Sequence, residues 1–240
     1  QIAFAITAIW WGTFTIPMLK NVQQVYYVER AANPVSTSFK KVFQTLKRIK
    51  AYRPLFLFLI AYFFYIDGVH TIITMSTAYG TDLGISSTNL LIILFATQVI
   101  AAPFAMLYGK LADKFTGKRM LLVGIFIYII ICMYAYFMKT TLDFWILALL
   151  VGSSQGGIQA LSRSYFAKLV PKENANEFFG FYNIFYKFAS ILGPALVGFT
   201  AQITGNTNAG VFSLVILFIL GGAVLMRVPE TTEKIQVIPK

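Results

Sequence analysis

Seven stretches of this chain, at 1–19, 54–77, 89–109, 119–138, 144–162, 178–201 and 209–226, are apolar over about the length a helix needs to cross a bilayer. About 20 residues rising 1.5 Å each cover a hydrocarbon core of about 30 Å. With 58% hydrophobic and only 12% charged residues, there is too little polar surface to clothe a water-exposed globule. Lipid is therefore the expected solvent, and inside lipid each segment must satisfy its own backbone hydrogen bonds. The expected fold class is all-α, a polytopic transmembrane helix bundle.

Lysine and arginine are distributed unevenly between the connections. The segment after the first span carries Lys20, Arg30, Lys40, Lys41, Lys47, Arg48, Lys50 and Arg53, and the turn after the second carries none. Lys110, Lys114, Lys118 and Arg119 follow the third span, Lys139 alone the fourth, Arg163, Lys168 and Lys172 the fifth, and none the sixth. Arg227, Lys234 and Lys240 close the chain. Alternate connections are thus basic, and the positive-inside rule predicts that they face the cytoplasm. The net charge of +11 is explained by this bias, without nucleic acid.

Cys132, the single cysteine, lies in an apolar span, so neither a disulfide framework nor a CxxC metal pattern is expected. No Walker loop, GxSxG elbow, HExxH or dinucleotide fingerprint is present. Neither an enzyme nor an ATP-driven pump has a foothold, and no cofactor is expected. Gln1 stands inside an apolar run with no signal-peptide n-region, which predicts a piece of a longer chain.

Residues 20–53 read as a cytoplasmic linker. From Ser36, Thr37 and Ser38, an N-cap signal, the apolar residues Phe39, Val42, Phe43, Leu46, Ile49 and Tyr52 recur at helical spacing. Lys40, Lys41, Lys47, Arg48 and Lys50 fill the remainder. Such a basic amphipathic helix can lie on an anionic leaflet, cover the base of the bundle or remain a solvated linker.

Between the third and fourth spans stands Gly109-Lys110-Leu111-Ala112-Asp113-Lys114-Phe115-Thr116-Gly117-Lys118-Arg119. It resembles the loop signature of the major facilitators, with Thr116 as one residue more than usual between Asp113 and Gly117. The resemblance implies a cytoplasmic gate of Gly109, Asp113, Lys114, Gly117, Lys118 and Arg119: glycine admits a close helix approach, Asp113 faces a helix N-terminus, and the cations pair across the gate. The alternative is an ordinary positive-inside turn. In that superfamily the signature joins the second and third helices of each six-helix half. Residues 1–19 then look like the last helix of an N-terminal half that is otherwise missing, 20–53 the linker, 54–226 the C-terminal six-helix domain, and 227–240 a cytoplasmic tail.

Two further stretches narrow the resemblance. Phe64-Tyr65-Ile66-Asp67-Gly68-Val69-His70-Thr71-Ile72-Ile73, and Ser162-Arg163-Ser164-Tyr165-Phe166-Ala167-Lys168-Leu169-Val170-Pro171 continuing through Glu177-Phe178-Phe179-Gly180-Phe181-Tyr182-Asn183 to Gly193-Pro194, are similar to the vacuole-effluxer-like branch, the autophagy-related amino-acid effluxers and their bacterial relatives. That likeness implies a secondary transporter of an amino acid or similar small polar solute. It implies a bacterial plasma membrane, or a vacuolar membrane in a fungus.

Polar residues in the spans mark the candidate pathway, because burying them in lipid is costly. Asp67 is expected about 20 Å and Lys187 about 14 Å from the cytoplasmic side. His70 follows Asp67 by three residues and shares its helix face. A coupling carboxylate at Asp67 with Lys187 as counter-charge is one reading; packing at Asp67, a satisfied carbonyl at His70 and snorkelling at Lys187 are the others. Gln98, Gln155, Gln159 and Asn183 are pathway candidates or interhelical hydrogen-bond glue. Gly152, Gly156, Gly157, Gly193, Pro194 and Gly198 predict close packing and a kink in the fifth and sixth spans. Alternating access by a proton-coupled or facilitative transporter fits this pattern; a seven-helix receptor, or a scaffold or lipid-handling protein of the same fold, is the alternative.

Overall fold

The computed structural model describes residues 2–22, 34–171 and 175–229, and only the backbone of 34–42. Lys172, Lys234, Lys240 and most of the expected tail lie outside the described residues. The chain divides into two units, Gln1–Lys41 and Val42–Lys240.

The first unit holds α1 (Ile2–Asn21) and the start of α2 (Pro34–Ala51). The hydroxyls of Thr7, Thr13 and Thr15 donate to the carbonyls of Ala3, Ile9 and Trp11, so these hydroxyls are satisfied within the helix.

The second unit continues with α3 (Arg53–Asp82), α4 (Ser87–Phe115), α5 (Gly117–Phe137), α6 (Thr141–Leu169), α7 (Ala175–Phe188), α8 (Leu192–Thr204), α9 (Thr207–Ser213) and α10 (Val215–Met226). No strand occurs among the described residues. Seven helical segments, counting α7 with α8 and α9 with α10, are long and apolar enough to cross a membrane, and they coincide with the seven stretches read from sequence. The outward sides of α4, α5 and α8 stay apolar and exposed, with Leu91, Phe95, Met106, Phe126, Phe137, Phe199 and Ile203 among them. A surface of that extent is what acyl chains cover.

Short polar residues stop and start these helices. Ser86 Oγ accepts from the amide of Asn89 at 3.4 Å, an N-cap for α4. Thr140 and Asp143 form a reciprocal capping box at α6. α4 and α5 are separated by Thr116 alone, at φ 85°, a backbone region that strains any residue with a β-carbon. The residue beyond the usual spacing is therefore the whole turn.

α3 packs against α10 and α6, α4 against α6, and α5 against both α6 and α10. The fifth span is unbroken from Thr141 to Leu169, against the expected kink. Its glycines serve contact instead: a β-carbon on Gly152 would stand 2.8 Å from the Thr97 carbonyl oxygen, and one on Gly156 2.8 Å from that of Ala101. The sixth span does break, over Ala189, Ser190 and Ile191 between α7 and α8. Gly198 has nothing within 4 Å of a would-be β-carbon, so it supplies no close contact.

The two ends of the bundle are tied differently. At the end poor in cations, Tyr79 Oη donates to Asn208 Oδ1 at 2.7 Å, and Asn208 Nδ2 donates to the carbonyls of Tyr136 and Met138 at 3.2 and 3.0 Å. At the basic end, Lys118 Nζ donates to the carbonyls of Met226 and Val228. If the basic end is cytoplasmic, a cysteine at Asn206 reacts with an impermeant maleimide on intact cells and one at Thr116 only after permeabilisation. The native Cys132 is buried and gives the blank. The reverse labelling pattern overturns the orientation.

Candidate functional site

Asp67 lies midway along α3 and is fully buried. Both carboxylate oxygens stand 3.0 Å from the backbone amide of Gly193, and the Leu192 amide also faces them. These are the first amides of α8, which the chain break has left without intrahelical acceptors. A carboxylate there also meets the positive end of the helix dipole. Asp67 thus caps, from another helix, the second half of an interrupted span. Gly193 makes the approach possible, because a β-carbon would collide with Thr71 Oγ1 and stand 2.9 Å from Asp67 Oδ1. Pro194 follows in the first turn of α8, where a missing N–H costs no helix bond.

Lys187 is not placed against Asp67, whose carboxylate is held by amides of α8; an ion pair is formed instead by Arg48 with Glu177. Lys187 lies in the last turn of α7, exposed, and close enough to act electrostatically on the His70 ring. His70 turns to α7 and not to α8. Its ring meets that of Tyr186 edge-on, with centroids 4.5 Å apart, while its buried Nε2 has no hydrogen-bond partner among the described residues. Asn183, exposed, lies one turn before Lys187 on the same face. The structure therefore sets His70 against Tyr186 of α7, with Asn183 and Lys187 exposed on one face of that helix, while Asp67 is held by α8.

Gln155 Nε2 donates to Gln98 Oε1 at 3.3 Å, joining α6 to α4, beside Ile72, Ile73 and Ser76 of α3. Gln159 is half-buried on α6. The pair is interhelical.

In the loop signature, residue roles differ from those implied by resemblance. A β-carbon on Gly109 would meet nothing within 4 Å; the close approach is at Gly117, 3.3 Å from the Tyr165 ring. Asp113 is exposed and lines a cleft of about 170 Å³ with Gly109, Gly117, Ser164, Tyr165 and Lys168. The amide capping expected of it falls to Thr116, whose Oγ1 accepts from the Arg119 amide at 3.5 Å. Lys114 lies over the Phe115 ring at 5.4 Å. Lys118 holds the carbonyl end of α10, where a cation is favoured by the helix dipole.

The part of α2 in this unit, residues 43–51, packs on the bundle through one side. Ile49 and Thr45 are buried, with Leu46 and Tyr52 packed on the same core. Thr45 Oγ1 donates to Glu177 Oε1, and Arg48 Nη1 lies 3.3 Å from Glu177 Oε2.

Sequence reasoning missed Gly193 as the receiver of Asp67 and Tyr186 as the neighbour of His70. A Gly-Pro pair inside an apolar run was the available signal for the first; nothing local distinguishes Tyr186 from the other tyrosines.

The match to known proteins covers nearly the whole chain. The family model described as vacuole effluxer Atg22 like matches residues 1–237. An uncharacterised MFS-type transporter of Bacillus subtilis (strain 168), YxiO, is 69% identical over 233 residues, 97% of this chain and 54% of that protein. Autophagy-related protein 22 of Saccharomyces cerevisiae (strain YJM789) is 28% identical over 282 residues, 100% of this chain and 53% of that protein. That of Cryptococcus neoformans var. neoformans serotype D (strain JEC21 / ATCC MYA-565) is 25% identical over 250 residues, 95% and 44%. The chain spans about half the length of these relatives. With its helical membrane bundle, its interrupted sixth span and this match, the chain belongs to the Atg22-like vacuole effluxer family, among transporters of the MFS type.

Proposed function

We propose that this chain forms one helix bundle of a secondary transporter that moves a small polar solute, an amino acid or a similar molecule, by alternating access. The observation that carries the reading is the interrupted span held by Asp67. Transporters place solute and ion sites near the bilayer midplane at discontinuous helices, because free amides and carbonyls there can bind polar groups at a depth where lipid offers none. Here the free amides of α8 are occupied by a titratable group belonging to α3. A proton arriving at or leaving Asp67 changes the hold between the two helices, which links protonation to helix position.

The relatives' names support transport, and they weigh against the receptor reading. The host membrane is proposed as the bacterial plasma membrane, given the similarity to the Bacillus protein.

Solute cavities of this architecture lie between two bundles. This chain alone, reconstituted in liposomes, is therefore expected to show no saturable uptake of any solute in an amino-acid panel. The complete protein is expected to show saturable uptake of at least one. Saturable transport by the chain alone overturns the two-bundle reading; none by the complete protein, inserted and folded, overturns the transporter reading for amino acids.

A further inference from the structure

Under the transporter reading, we propose that Lys187, His70 and Asn183 form a water-accessible anion-receiving subsite that takes the carboxylate of the solute. Of the nine acidic residues, Asp67 alone lies mid-span, and its oxygens are held by the Gly193 amide. No carboxylate in the described chain is left to neutralise Lys187, although an unpaired ammonium at this depth is costly unless it faces water or an anion. Lys187 stands on the carbonyl end of α7, which favours the ammonium in place, and Ser190 Oγ closes that end by donating to the Lys187 carbonyl at 2.8 Å.

The remaining groups suit an oxyanion. His70 Nε2 is buried without a partner, and in the tautomer protonated there it is a donor awaiting an acceptor. Its ring is steadied edge-on by Tyr186. Asn183 supplies an amide donor on the face of Lys187. Exposure of Asn183 and Lys187 leaves their side open, whereas the Asp67 side of α3 is closed.

The test needs no knowledge of the solute. In the complete protein carrying Asn183→Cys, with buried Cys132 retained, reaction rates are measured for two small methanethiosulfonates. One bears a sulfonate and the other a trimethylammonium group, and each rate is normalised to that of a free thiol. The sulfonate reagent is expected to be favoured about tenfold, equivalent to about 1.4 kcal/mol. Lys187→Gln in the same background is expected to abolish the preference, and His70→Gln to leave the charge preference of Lys187 while reducing protection of the thiol by a transported amino acid relative to its amide. Equal rates for the two reagents, or a preference that survives Lys187→Gln, overturn the subsite. No reaction with either reagent means that another helix covers Lys187, which overturns it too. A charge preference in a protein that moves no solute leaves the subsite standing and counts against the transporter reading alone.

Discussion

Replacing Asp67 by leucine is expected to unfold the junction between α3 and α8, while replacing it by asparagine is expected to preserve it. Leucine removes the acceptor from the Gly193 amide, which stands 3.0 Å from both carboxylate oxygens. Leaving a buried donor unsatisfied costs about 1–3 kcal/mol. Loss of the anion from the end of α8 adds about 0.3–1 kcal/mol, or more in a partly buried setting. In a chain of this size each kcal/mol corresponds to about 2–4 °C in Tm, so a drop of several degrees is expected in detergent melts. Asparagine keeps one oxygen for the amide and loses the charge and the exchangeable proton, so its Tm is expected to fall less than that of the leucine variant. The complete Asp67→Asn protein is accordingly expected to exchange solute across the membrane yet fail to accumulate it under an imposed pH gradient. Undiminished accumulation by Asp67→Asn would remove the carboxylate from coupling and leave it a cap.

The second large effect is expected where α4 and α6 touch. Gly152→Ala and Gly156→Ala each place a methyl group 2.8 Å from a backbone carbonyl of α4. A side chain can rotate away from such a contact, but a carbonyl in a helix can move only with its helix. Overpacking of this kind costs about 1–3 kcal/mol, and the two sites lie one turn apart, so the double variant is expected to separate the helices and not merely add the two losses. Gly198→Ala is the control. Its β-carbon meets nothing within 4 Å, and alanine is the better helix former by about 0.5–1 kcal/mol. The same chemical change should therefore lower Tm at 152 and 156 and leave it unchanged or raised at 198. Equal effects at all three positions would mean that helix contact does not set the stability of this interface.

These contrasts separate what one local stretch of sequence can say from what requires a partner. The seven spans were legible because hydrocarbon thickness imposes a length and an apolar composition on each crossing segment by itself. The loops poor or rich in lysine were readable on the same ground, but the helix ends were not: α3 runs from Arg53 to Asp82 and α6 from Thr141 to Leu169, beyond the 54–77 and 144–162 that apolar composition marks.

Pairing was not readable. Asp67 and Gly193 are 126 positions apart, and the sequence offers Lys187 as an equally plausible partner at nearly the same depth. Only the packing of α3 against α7 and α8 decides that the carboxylate meets an amide and the imidazole meets Tyr186. Likewise Gly152 and Gly198 are indistinguishable as letters in apolar runs; whether another backbone lies against them is a property of the neighbouring helix. That Lys118 meets the carbonyl end of α10 is likewise a property of the neighbouring helix. What the sequence by itself determined is therefore the solvent, the crossings and the bias between the two ends, since each is set by hydropathy and charge along a single segment. The tertiary structure alone decided which buried polar group satisfies which, because in lipid that choice is made by the nearest donor in space and not by the nearest in the chain.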